Sequence, residues 1–148
     1  MKINSLKGEW SSKDLEANKD WFLDLDTDDK DELIFATNSS LSSKKNIFDL
    51  TSKDFPLNKF LIKIDKVKEQ VESGFGFIIL RGLPVKEFSD DEVKVMLWGL
   101  GQYIGYPEVQ DKAGALLHVV TDTGASVNKT DNIRGFQTNE ELQFLSLI

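Results

Sequence analysis

Cysteine is absent from this sequence, and histidine occurs once, as His118. Without thiols no disulfide can hold the fold. With one imidazole, no cysteine and no paired ligand motif, neither a catalytic metal centre nor a nucleophilic triad can be assembled from these side chains. Long apolar runs are missing too: none approaches the roughly 18 residues that cross a bilayer, so no membrane is expected as a partner. Met1 to Trp10 shows no basic-then-apolar leader pattern. A chain free of cysteine suits a reducing compartment, and the cytoplasm is the expected location. Basic residues are the minority, 18 Lys and Arg against 25 Asp and Glu, for a net charge of −7. That field repels a phosphate backbone, and no basic stripe alternates with aromatics, so nucleic acid is not an expected partner.

What is present is 148 residues, 40% apolar and 29% charged, which suffices for one domain with a real core. No internal repeat is visible. The polar stretch Thr37-Asn38-Ser39-Ser40-Leu41-Ser42-Ser43-Lys44-Lys45 predicts a surface loop over 37–45. Before it, Trp10 to Leu25 places two tryptophans in polar surroundings. Asp26-Thr27-Asp28-Asp29 offers N-cap residues for a short helix near Lys30 to Ala36.

From Leu57 the pattern sharpens. Leu57, Phe60, Leu61, Ile64, Val67 and Val71 recur at three- and four-residue steps, which predicts one buried helix face. Gly74 stands where a left-handed cap belongs. Phe75-Gly76-Phe77-Ile78-Ile79-Leu80 then reads as a strand buried on both faces, closed by Arg81-Gly82-Leu83-Pro84. Ser89-Asp90-Asp91-Glu92 is a capping box. It opens a helix with Val93, Met96, Leu97, Leu100, Tyr103 and Ile104 on one face, stopped by Gly105 and Pro107. Gly99 and Gly101 weaken that helix, so a close neighbour is expected there. Leu116 to Val120 predicts a further strand, 123–135 a polar loop, and 136–147 a weakly marked third strand. The class is α+β or α/β, with a core centred on residues 57–120 that includes Ile64, Val67, Phe77, Ile79, Leu97 and Leu100.

Few of these residues point to chemistry. His118 lies in an apolar strand with no acid or second histidine at ligand spacing, which favours a structural role. Gly74-Phe75-Gly76 precedes a strand and lacks a third glycine, the wrong context for a phosphate loop. Arg81 ends a strand, where it can meet an anionic ligand or pair with an acid of the N-terminal helices; the second is favoured. Gln110, Asp111 and Lys112 form a turn between a helix and a strand, a common place for function and also for plain solvated loop. Gln137 to Glu141 is similarly polar.

Several stretches together are more specific. Phe55-Pro56-Leu57, the run from Gly74 through Arg81-Gly82-Leu83-Pro84-Val85, Gly99-Leu100-Gly101, Gly105-Tyr106-Pro107, Gln110, Gly114, Val120-Thr121-Asp122-Thr123-Gly124 and Arg134-Gly135-Phe136-Gln137-Thr138-Asn139 to Phe144 follow one another in order. In that order they resemble the N-terminal part of the TauD/TfdA family, with Trp10 and Trp21 in its N-terminal helical region. The resemblance implies N-terminal helices plus the first strands of a double-stranded β-helix of the clavaminate synthase-like kind. It also implies iron(II)- and 2-oxoglutarate-dependent dioxygenase ancestry with a small-molecule substrate. In such a family the iron is held by a His-x-Asp/Glu pair and a distal histidine, an arrangement that leaves open positions for co-substrate and oxygen. An arginine then grips the far carboxylate of 2-oxoglutarate.

Here the sequence departs from the family. The His-x-Asp is expected immediately after Phe144, where the chain reads Leu145-Ser146-Leu147-Ile148. The metal ligands and the arginine are absent, and His118 matches no ligand position. The expectation is one partial domain over 1–148, inactive alone, with no catalytic residue, no metal ligand and no bound Fe(II) or 2-oxoglutarate of its own. The resemblance places Gln110, Thr138 and Asn139 near the substrate mouth. Self-association through unpaired strands is expected. A non-catalytic binding module on the same scaffold and one half of a split enzyme are the alternatives.

Overall fold

A computed structural model describes residues 10–117 and 119. The chain divides into two compact units, Met1–Pro107 and Glu108–Ile148. In the first unit the order is α1 (Ser12–Ala17), β1 (Phe22–Asp24), α2 (Thr27–Ser42), a 3-10 turn (Ile47–Asp49), α3 (Leu61–Ser73), β2 (Ile79–Arg81), a second 3-10 turn (Val85–Glu87) and α4 (Asp90–Ile104).

Three of the four helices begin with a reciprocal cap, in which an acid at the third helical position reaches back to the capping residue. Asp14 accepts from the Ser11 N–H at 2.7 Å. Asp29 accepts from the Asp26 N–H at 2.8 Å while Asp26 accepts from the Asp29 N–H at 3.0 Å. Glu92 accepts from the Ser89 N–H at 2.8 Å, as the capping box predicts.

Helix α2 differs from its expectation. It runs 16 residues through Ser42, so most of the stretch 37–45 is helix and not loop. Its small polar side chains satisfy themselves on neighbouring carbonyls: Thr37 Oγ1 donates to Leu33 O at 2.7 Å and Ser42 Oγ to Asn38 O at 2.8 Å. Ser40 Oγ reaches out of the helix to Asp54 O at 2.8 Å. Thr37 and Ser40 are therefore buried without orphaned polar atoms.

Helix α3 begins at Leu61, and its buried stripe is Phe60, Ile64 and Val67; Leu61 and Val71 are exposed. The expected left-handed cap at Gly74 is not there, since its φ is −98°. Gly76 takes that conformation instead, at φ 82°, and its N–H bonds Gln70 O at 3.1 Å. The helix ends at Gly74 as the glycine pattern suggests, but the left-handed residue comes two positions later.

The strand expected over 75–80 is shorter, and the double burial fails. Only Ile79–Arg81 is strand, paired in parallel with β1 in the register Phe22 to Ile79, Leu23 to Leu80 and Asp24 to Arg81. A two-stranded sheet has one side against the core, here Leu23 and part of Leu80. Its other side carries Phe22, Asp24, Ile79 and Arg81, and Ile79 is 43% exposed. The Arg81 guanidinium lies 4.4 Å from the Phe22 ring centroid. Parallel strands require a crossover, and α2 and α3 lie within it.

The core joins Leu25, Leu33, Ala36, Phe55, Phe60, Ile64, Met96 and Leu100. Half of it comes from residues before 57, ahead of the expected centre. Ile64, Val67 and Leu100 are core as expected; Ile79 and Leu97 are exposed and Phe77 is half-buried. On α4, Met96, Trp98, Gly99 and Leu100 are buried. Trp98 Nε1 donates to Leu50 O at 3.3 Å, and Phe48 meets the Trp98 ring edge-on at 5.1 Å. Gly99 has the close neighbour expected for it, Phe55; Gly101 has none within 4 Å.

In the second unit, Gln110 N–H bonds Ala115 O at 2.7 Å and closes a turn. Leu116, Leu117 and Val119, expected as strand, are not in one. The expected loop at 123–135 and strand at 136–147 lie outside the described residues.

Candidate functional site

The turn at residues 109–113 borders a depression of about 710 Å³ lined by Val109, Gln110, Asp111, Lys112 and Ala113. Its shape follows from Asp111, whose Oδ1 accepts from the N–H groups of Ala113 at 2.8 Å and Ala115 at 3.0 Å. Gly114, at φ 85°, supplies the left-handed residue that the reversal needs. Gln110 donates from Nε2 to Glu108 O at 2.8 Å, so its amide is oriented by its own backbone. Gln110 is thus exposed on a fixed turn; its place near a substrate mouth is what the family resemblance implies. Thr138 and Asn139, the other two residues expected near a substrate mouth, lie outside the described residues, as does His118.

Two further grooves belong to the first unit. One, of about 520 Å³, runs between the start of α2 and the Gly82–Glu87 segment, with Lys30, Asp31 and Ile34 on one wall. The other, of about 450 Å³, is lined by Asp28, Asp31, Glu32, Phe35, Asn58 and Lys59. The second borders the charged joint between α2 and α3, which the sequence reading did not single out. There Glu32 accepts from the backbone N–H of Asn58 and, at 3.2 Å, from that of Phe60. Lys63 Nζ pairs with the buried Asp29 and, at 3.4 Å, with Asp26. Burial works against the Lys63 charge, but the hydrogen bond and charges of Asp29 and Asp26 outweigh it and raise its pKa. Asp26 is lowered, first by the Asp29 backbone N–H and then by Lys63. Every charge in this joint has a structural partner, so it reads as a clasp between helices.

Arg81 pairs with an acid as favoured, but that acid, Asp24, stands on β1 and not on an N-terminal helix, because the parallel register sets the two residues side by side. Its Nε and NH2 reach the two Asp24 oxygens at 2.7 and 2.8 Å, a bidentate pair across the β1–β2 register. Asp24 is held below its ordinary pKa and Arg81 above, each by that hydrogen bond. Among the described residues no group of three or more His, Asp or Glu side chains is arranged to hold a metal ion. No helix there is long and apolar enough to cross a membrane.

No family model matches the chain. It is 28% identical over 137 residues to FR-33289 synthase of Streptomyces rubellomurinus (strain ATCC 31215). Those residues are 93% of this chain and 40% of that protein, so the chain spans about two fifths of the length of the relative it matches.

Proposed function

We propose that this chain is the N-terminal part of an iron(II)- and 2-oxoglutarate-dependent oxygenase of the TauD/TfdA kind, contributing scaffold and part of the substrate mouth but none of the metal ligands. The observation that carries this is collinear likeness to a synthase along 93% of the chain but only 40% of that enzyme. It joins the ordered stretches that give the family resemblance. Two of those stretches also meet in space: Phe55 packs on Gly99, and Tyr103, one turn beyond Gly99, accepts from the Leu57 N–H at 3.3 Å.

Iron(II), when bound in such a family, activates oxygen at a site with two imidazoles and a carboxylate. The 148 residues hold one imidazole and no His-x-Asp/Glu, so their donor set does not fit that metal. The contribution of this chain is then positional. α2, α3 and α4 pack around one core, and β1 and β2 pair in parallel beside it. In the turn, Gln110 keeps its amide N–H on Glu108 and leaves its carbonyl oxygen as an acceptor toward a small polar substrate.

The nucleotide sequence following the codon for Ile148 tests the proposal. A His-x-Asp/Glu, a later histidine and an arginine, in the same frame or an adjacent one, are expected. A locus without them would overturn it in favour of a binding module on a shared scaffold.

A further inference from the structure

We draw no further inference here: the strongest candidate, the outer face of the β1–β2 sheet at Phe22 and Ile79, carries none because nothing in the structure shows what covers it.

Discussion

Gly99 of α4 lies against the ring of Phe55 so closely that a Cβ at position 99 would run into Cγ, Cδ2 and Cε2 of that ring. Phe55 is fully buried, so a displaced ring would have to push into the surrounding core. Two positions on, Gly101 faces nothing within 4 Å. The same substitution should therefore have opposite signs. Gly101→Ala should stabilise by about 0.5–1 kcal/mol, the helix penalty of glycine. Gly99→Ala gains as much from the helix but should lose more, since overpacking a dense core costs about 1–3 kcal/mol and sometimes more. Urea denaturation of the two variants checks this; equal shifts would mean that Phe55 does not fill the notch.

A second contrast separates core from surface. Ile64 is 1% exposed and Ile79 is 43% exposed. Ile64→Ala should cost about 2–5 kcal/mol. Ile79→Ala should cost less than about 1.5 kcal/mol, because much of its side chain is already in water. The apolar run 75–80 alone suggests a large cost at Ile79, so the ordering of these two variants in chemical denaturation distinguishes the readings.

Tyr103 is a third lever. Its hydroxyl accepts from the Leu57 N–H and lies 2.9 Å from Ser52 O and 2.8 Å from Phe55 O, which pins residues 52–57 to α4. Tyr103→Phe strands the Leu57 donor and removes the one hydroxyl proton that the Ser52 and Phe55 carbonyls share, in a half-buried place. It should cost about 1–3 kcal/mol. Hydrogen exchange should report the loss at the Leu57 amide; an unchanged exchange rate there would contradict the assignment.

Acidification should weaken the fold through its capped and paired carboxylates. Lys45 at 2.6 Å, then the Thr51 N–H and hydroxyl, lower Asp54 from 3.8 to about 2. Asp14, Asp24, Asp26, Asp91 and Glu92 shift the same way. A depressed folded pKa adds stability above the unfolded value and loses it as pH falls. For Asp54 the loss runs from pH 3.8 down to about 2. Lys63 has the opposite sign: raised above 10.5, its contribution is complete below that value and fades as pH climbs through the higher folded one. Asp54→Asn should flatten part of the acid limb in thermal melts and leave the alkaline limb alone. An unchanged acid slope would rule out Asp54 as a contributor.

What the sequence makes legible is local. Ser89 and Glu92 announce α4 because a capping box is complete within four residues. The Phe60, Ile64 and Val67 stripe shows because it repeats within one helix. Helix α2 is harder to see, because Thr37, Asn38, Ser39, Ser40 and Ser42 carry loop composition; only bonds such as Ser40 to Asp54 keep them in a helix, and such bonds are invisible in a linear reading. β1 is harder still. Three residues carry no period, and their partners lie 57 positions away. Arg81 ending on an acid is an exception, since an arginine at a strand end calls for such a partner. For the candidate site, Gln110 on its turn is legible from the turn residues around it. The charged joint at Asp26, Asp29 and Lys63 is not, because it depends on how α2 meets α3.

The central claim is that these residues are the scaffold of an oxygenase without its metal ligands. Anaerobic calorimetric titration of the 148-residue protein with iron(II), with and without 2-oxoglutarate, tests it most directly. The account predicts no saturable one-to-one binding, since an open facial site needs three fixed ligands and the sequence offers one histidine with no His-x-Asp/Glu beside it. A one-to-one site of about micromolar affinity or tighter, some −8 kcal/mol, would contradict it.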